Sequence, residues 1–403
     1  MLRSFSLRNF QSFHAPIRIS LELNRQKLNP HTPADDRSSA SDSGTRLSKA
    51  VAVIGANASG KTSLIKSLVF VDWFVKHSFH AKPDEPIAVA PHFSDAQSPS
   101  SFELEFEWDS RVWRYQLVVS TERVFYESLH VKHSRAFSYV FVRDWDEATA
   151  SYTVKQQQFG LLPREAQRVR ENASLISTAA QYKVDLALGL VSMPVFTNIH
   201  ALGREAVDHD QLFRAAAFYA NHQSVRDQMV ALLQDWDLGL ADVRLEKRTL
   251  TRESGQTEDI HVPFGIHRVA NKTHPLMFVH ESSGTQGAFI LLARILPALQ
   301  QGGLVVIDEL EADLHPHMLT PILGLFFSPE SNPYNAQIVF TCHSMEVLSL
   351  LHKSQVVLVE KDADCVSDGA SWAWRLDSVK GVRADDNLYA KYMSGAYGAI
   401  PKL

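Results

Sequence analysis

Residues 55–62 read Gly55-Ala56-Asn57-Ala58-Ser59-Gly60-Lys61-Thr62, a complete G-x-x-x-x-G-K-[ST] string, and its flanks limit the fold as much as the string itself. An apolar run, Ala50-Val51-Ala52-Val53-Ile54, precedes it, and Thr62-Ser63-Leu64-Ile65-Lys66-Ser67-Leu68-Val69 follows with helical spacing. The order is therefore strand, loop, helix. In that setting the glycines let successive backbone N–H groups curl around a polyphosphate, and the helix N-terminus adds its partial positive charge. Lys61 would reach the β- and γ-phosphates, and the Thr62 hydroxyl would ligate Mg²⁺. The expected cofactor-binding residues here are Gly55, Asn57, Ala58, Ser59, Gly60, Lys61, Thr62 and Ser63, with ATP, or GTP in its place, and Mg²⁺ as cofactors. A plain Gly-rich turn between strand and helix is the alternative, and the complete motif in its required context outweighs it.

Other features narrow the class. At 403 residues the chain exceeds a typical single core, so two subdomains or one enlarged α/β domain are expected. Two cysteines, Cys342 and Cys365, are too few for a disulfide framework, which points to a reducing, cytoplasmic setting. Met1 to Ser20 carries no apolar core of a secretory leader, and no stretch approaches the ~20 apolar residues of a membrane span. A net charge of −5 gives no global attraction to nucleic acid, yet a local basic groove could hide inside that total.

Along the chain, residues 2–10 and 17–21 read as two strands with alternating faces. Residues 29–46 hold almost nothing to bury and read as a mobile loop. Phe102, Leu104 and Phe106 alternate with glutamates, and Trp113, Tyr115 and Leu117 alternate with Arg114 and Gln116, the pattern of half-buried antiparallel strands. Residues 159–240 carry helical patterns such as Leu212, Ala215, Ala216 and Tyr219, and suggest a helical insertion between lobes at 1–158 and 241–403.

A second cluster is Leu304-Val305-Val306-Ile307-Asp308-Glu309, an apolar run of buried parallel-strand type that ends in two carboxylates. Ligands of open α/β sheets sit beyond the carboxyl ends of the strands, so both acids should meet the nucleotide. Asp308 is expected to hold Mg²⁺, mostly through water, and Glu309 to orient and deprotonate the attacking water. Such a run alone can be a strand end meeting solvent; the phosphate loop is what makes the catalytic reading the better one. A third strand, 336–341, ends at Cys342-His343-Ser344, where His343 could donate to the γ-phosphate and report hydrolysis. A lone histidine at a strand end is otherwise an ordinary polar residue.

Together these residues resemble a family. Glu281-Ser282-Ser283-Gly284-Thr285-Gln286 lies a short helix before the Asp-Glu strand, as the signature sequence does in ABC-type ATPases, the group that includes SMC proteins and OLD nucleases. Ser283, Gly284 and Gln286 match its Ser-Gly-x-Gln. The stretch from Asp308 to Pro316 is similar to the combined carboxylate strand and dimer-contacting loop, in a Leu-His-Pro variant. Residues 386–401 resemble a narrower group, bacterial AAA-family ATPases described as ATP/GTP phosphatases in restriction-linked and abortive-infection loci. Further likenesses are Asn9-Phe10-Gln11-Ser12-Phe13, Arg170-Glu171-Asn172 and Val359-Glu360-Lys361-Asp362, so the resemblance spans nearly the whole chain. It departs at Ser344, where the family usually has an acid, and in the glutamine that links γ-phosphate to the lobes, for which Gln97 is the candidate.

The resemblance implies an α/β P-loop NTPase of ABC/SMC-head type, a mixed sheet with an antiparallel β subdomain and a helical insertion. It implies a nucleotide sandwiched in a homodimer, each phosphate loop completed by Ser283, Gly284 and Gln286 of the other chain, with higher assembly left open. The chain leaves no room for the fused nuclease of OLD proteins, so an effector is expected as a separate chain. The implied function is the sensor ATPase of an antiphage, abortive-infection type defence system controlling a toxin or nuclease. The alternative is a DNA-repair or recombination ATPase that holds DNA between paired heads. A transporter ATPase, the third reading, is disfavoured by the Leu-His-Pro variant and the antiparallel insertion.

Overall fold

The computed structural model describes residues 1–23, 37–40, 44–201, 203–236, 238–251, 257–312, 314–361, 369–383 and 385–400. A six-stranded sheet carries the strands read as nucleotide-binding. Its order is Val195–Thr197, Leu304–Ile307, Gln337–Thr341, Ala50–Ile54, Val356–Lys361 and Ser371–Arg375. The first five run parallel, and only Ser371–Arg375 is antiparallel, against Val356–Lys361. Both faces of this sheet are covered, which is why its strands are apolar without alternation. Val51, Val53, Val306, Val339 and Val357 face one core, and Ala50, Ala52, Ile54, Val305 and Ile307 face the other.

The first core is closed by the helix Lys61–His77, through Leu64, Ile65, Leu68, Val71 and Phe74, and by a seven-stranded antiparallel sheet. That sheet runs Ser151–Gln156, Phe137–Asp146, Val124–Lys132, Arg111–Val119, Ser100–Trp108, Leu2–Arg8, Ile17–Ser20. The alternating segments read from sequence pair as expected, with Phe102 opposite Leu117 and Leu104 opposite Tyr115. Gln337 stitches the sheets together, accepting from the Leu2 N–H at 2.5 Å and donating to the Leu2 carbonyl at 3.1 Å. The second core lies under the helices Ser283–Gln301, His209–Asn221 and Leu319–Phe327. An antiparallel sheet beside a mostly parallel nucleotide sheet is the mixed α/β architecture with an antiparallel β subdomain that the sequence led one to expect.

Residues 159–240 are mostly helical, and His209–Asn221 buries Leu212, Ala215, Ala216 and Tyr219 as their spacing requires. They are threaded into the core more than set apart from it. Val195–Thr197 forms one edge of the nucleotide sheet, and Tyr219 donates to the Phe289 carbonyl at 2.8 Å on the helix before the Asp-Glu strand. That helix, Ser283–Gln301, is 19 residues long and so not short. Of the expected mobile loop at 29–46, residues 29–36 and 41–43 lie outside the described residues. The remainder is not all loop: Ser38–Ala40 pairs with Arg46–Ser48 because Leu47, fully buried, anchors it to the core. Asp313, Asp362, Cys365 and Pro401 also lie outside the described residues.

Candidate nucleotide site

The loop at 55–62 leaves the central strand Ala50–Ile54 and turns directly into the helix Lys61–His77. Gly60 has φ 107°, a left-handed conformation that L side chains rarely adopt. A Cβ on it would also stand 2.5 Å from Ser12 Oγ and 2.6 Å from Ser371 Oγ. Gly55 is needed for a different reason, since a Cβ there would collide with the Val359 carbonyl. These approaches press the loop against the residues 9–13 turn and the edge strand Ser371–Arg375. The hydroxyls of Ser12, Ser59 and Ser371 are buried there with no hydrogen-bond partner.

Above the loop is an open cleft of about 730 Å³ lined by Ser12, Asn57, Ala58, Ser59, Gly60, Lys61, Thr62, Ser63, Asp308, Glu309 and His343. Every loop residue expected at the phosphates reaches it except Gly55, which lies beneath as a backbone acceptor. Lys61 Nζ donates to the carbonyls of Gly55 and Ala56, at 3.0 and 2.9 Å. Burial pushes this ammonium below its ordinary range, while Asp308, Glu309, Glu311 and Cys342 act to raise it. A partly buried cation whose hydrogen bonds go to loop carbonyls is matched to an anionic ligand.

Asp308 and Glu309 follow Leu304–Ile307, and the register Ile307 to Phe340 brings Thr341 beside Asp308. The Asp308 carboxylate accepts from Thr62 Oγ1 at 3.0 and 2.9 Å and from Thr341 Oγ1 at 2.6 Å. Asn198 grips its backbone from the other side, accepting from Asp308 N at 2.8 Å and donating to its carbonyl at 2.9 Å. The hydroxyl of Thr62 and the carboxylate of Asp308 thus meet as the hard oxygen donors that suit Mg²⁺. Glu309 reaches His343, with Oε1 3.5 Å from Nε2.

In place of an acid after His343, the backbone of the histidine loop meets the carboxylate of Glu311. Glu311 Oε1 accepts from the backbone N–H of His343 and from that of Ser344 at 3.2 Å, so a carboxylate two residues past Glu309 holds the histidine loop. Cys342 stays a thiol: burial first, then Glu311, pushes its pKa up. Asn198 and Ser371 carry no motif signal, and Thr341 and Glu311 lie inside stretches read as motifs, 341–344 and 308–316, where the motif gives neither a role. Thr341 alone could have been found, as the residue one step past the strand-to-strand register.

Two expected groups are not at the cleft. Gln97 is exposed after the turn Phe93–Asp95. Ser283, Gly284 and Gln286 open the helix Ser283–Gln301, whose cap is Ser282, with its Oγ accepting from Thr285 N at 3.1 Å. Ser283 is exposed, and none of the three lines the cleft of their own chain.

Comparison with known proteins agrees with the motifs. No curated protein sequence matches the chain. Among solved structures it is similar to the SMC head domain from Thermotoga maritima, at 14% identity and TM-score 0.42, covering 93% of this chain and 98% of that one. It is also similar to an Smc head domain with coiled coil and joint derived from Pyrococcus yayanosii, at 9% identity and TM-score 0.44, covering 98% and 99%. A third is an SmcHead bound to the C-winged helix domain of ScpA, at 12% identity and TM-score 0.40, covering 94% and 98%. Residues 50–349 match a family described as "AAA domain, putative AbiEii toxin, Type IV TA system".

Proposed function

The chain belongs to this AAA-domain family, and on that premise we propose that it is a switch that binds and hydrolyses ATP. The observation that carries the proposal is the convergence of Lys61, Thr62, Asp308 and Glu309 on one cleft from the loops after Ala50–Ile54 and Leu304–Ile307, the two parallel strands that flank Gln337–Thr341. Lys61 leaves its two loop carbonyls for the phosphates, and the backbone of residues 57–62 surrounds them. Mg²⁺, held by Thr62 and Asp308, would neutralise phosphate charge during transfer. Glu309 takes the proton of the attacking water, and His343, on the loop held by Glu311, donates to the γ-phosphate. Ser283, Gly284 and Gln286 act on the nucleotide of a second copy, which makes ATP the glue of a homodimer and hydrolysis its release.

The output we infer is control of a separate toxin or nuclease in an antiphage, abortive-infection type system, the finer reading of the same family. The competing DNA-holding role would gain from a free basic stripe. In the three-stranded sheet at 242–277, Arg244 and Arg248 share Glu246 and Lys247 pairs with Asp259, which offsets part of the positive charge there. The test is Lys61→Ala, which should abolish ATP binding in calorimetry and ATP turnover while the far-UV spectrum is unchanged. Unaltered affinity would overturn the proposal. Co-purification with the products of adjacent genes, with and without a non-hydrolysable analogue, tests the effector.

A further inference from the structure

Glu309 has φ 53°, in the left-handed region where a non-glycine residue is held only by its surroundings. Its N–H donates to Thr341 Oγ1 at 2.7 Å. Its carboxylate meets two side chains: His343, on the loop already assigned to the phosphates, and Arg204, whose Nε is 3.2 Å from Oε2. Arg204 comes from an unrelated place in the chain, and the proposed reaction gives it no role.

It stands on a small hairpin, Ile199–His200 paired with Gly203–Arg204. The hairpin begins next to Asn198, which grips Asp308, and is closed by the Glu205 N–H donating to the Asn198 carbonyl at 2.7 Å. Lys66 Nζ, from the phosphate-loop helix, donates to the Ala201 carbonyl at 2.6 Å. At the base, Arg294 of the helix Ser283–Gln301 donates to the Thr197 carbonyl at 3.0 Å and to Glu205 at 2.6 Å. One side chain of the signature helix therefore holds both ends of residues 197–205, and the far side of that segment holds Glu309.

We propose that Arg204 is a positioning residue for Glu309, and that the described residues 197–201 and 203–205 are the strut through which the signature helix sets the position of that carboxylate. The proposal rests on the reading of Glu309 as general base. A guanidinium is planar and keeps its charge, so its ion pair with Oε2 restrains where the carboxylate sits. A base aimed at water needs that constraint, since small displacements of reacting groups cost rate steeply. The strut gives the helix that would contact the second copy's nucleotide a mechanical route to the base of its own chain.

Arg204→Ala, Arg204→Lys and Glu205→Gln separate this from a structural role. The measurements are kcat and KM for Mg-ATP, calorimetric affinity for a non-hydrolysable ATP analogue, and amide exchange across residues 305–312 without nucleotide. Arg204→Ala should lower kcat by about 10- to 100-fold with analogue affinity unchanged, and should quicken exchange around Glu309. Arg204→Lys should restore part of kcat, because it returns the charge without the fork. Glu205→Gln should move kcat and exchange the same way, less far. Wild-type kcat and exchange in Arg204→Ala overturn the positioning role. Affinity falling in parallel with kcat, unrelieved by lysine, overturns it too, as plain structural damage. An effect of Arg204→Ala without one from Glu205→Gln overturns the strut. Absence of ATP turnover by the wild-type chain would instead overturn the hydrolysis reading, while exchange still reports on the Arg204 contact.

Discussion

Asp308 has more partners than its motif announces. Lys61, Thr62, Asp308 and Glu309 were legible because each chemical role demands one residue type at a fixed spacing, which a single sequence displays. Asn198 was not, because an amide that steadies a carboxylate's backbone can come from any loop that tertiary structure brings near. Glu311 was hidden differently: the acid expected beside His343 sits on another strand end and reaches the same backbone through space. The residue with the clearest testable role is Glu309. Glu309→Gln keeps size and hydrogen bonding but removes the base, so turnover should fall by about 10²-fold or more while ATP binding persists. Single-turnover hydrolysis followed beside calorimetric binding checks this; near-normal turnover would move the base elsewhere, with His343 the next to examine.

At the level of elements, long periodic segments declared themselves and short ones did not. Val195–Thr197 supplies a sheet edge and leads into Asn198 with only three residues, too few to set a period against the helical segments around it. The start of the helix Leu175–Gln181, capped by Ser174, depends on a buried pair equally silent in sequence. Glu127 and Arg143 are fully buried, and Glu127 accepts from Tyr115 at 3.0 Å, Ser174 Oγ at 2.6 Å and Leu175 N at 2.8 Å. Arg143 donates to the carbonyls of Val169, Arg170 and Ala173, which ties residues 169–175 to the antiparallel sheet. Arg143→Met leaves a carboxylate buried without its cation and three carbonyls without donors, so stability should drop by about 3–5 kcal/mol. Urea unfolding measures it, and the folded fraction should still bind ATP with wild-type affinity, because the network does not touch the cleft. A loss under about 1 kcal/mol would mean that water replaces the arginine.

For the whole molecule, the decisive feature is that the phosphate loop and the signature residues of one chain lie apart, the first in the cleft and the second at an exposed helix start. If function needs both on one nucleotide, two chains must contribute to each site, and twofold symmetry makes two such sites per pair. Glu309→Gln should then accumulate as a dimer with Mg-ATP, seen by light scattering, and revert on chelation of Mg²⁺. Ser283→Arg puts a bulky cation at the helix start, so it should bind ATP yet stay monomeric and inactive. Lys61→Ala is inactive for the opposite reason, with an intact signature and a dead loop. Mixed in equal amounts, these two inactive variants should regain activity. Because neither variant can pair with itself, the dimers that form are mixed, and each has one complete site of two, so recovery should reach at most roughly one half of the wild-type rate. Turnover rising quadratically with total protein at low concentration would accompany it. Two well-folded variants that stay inactive on mixing, or a Ser283→Arg monomer that turns over ATP at the wild-type rate, would show that each chain completes its own site.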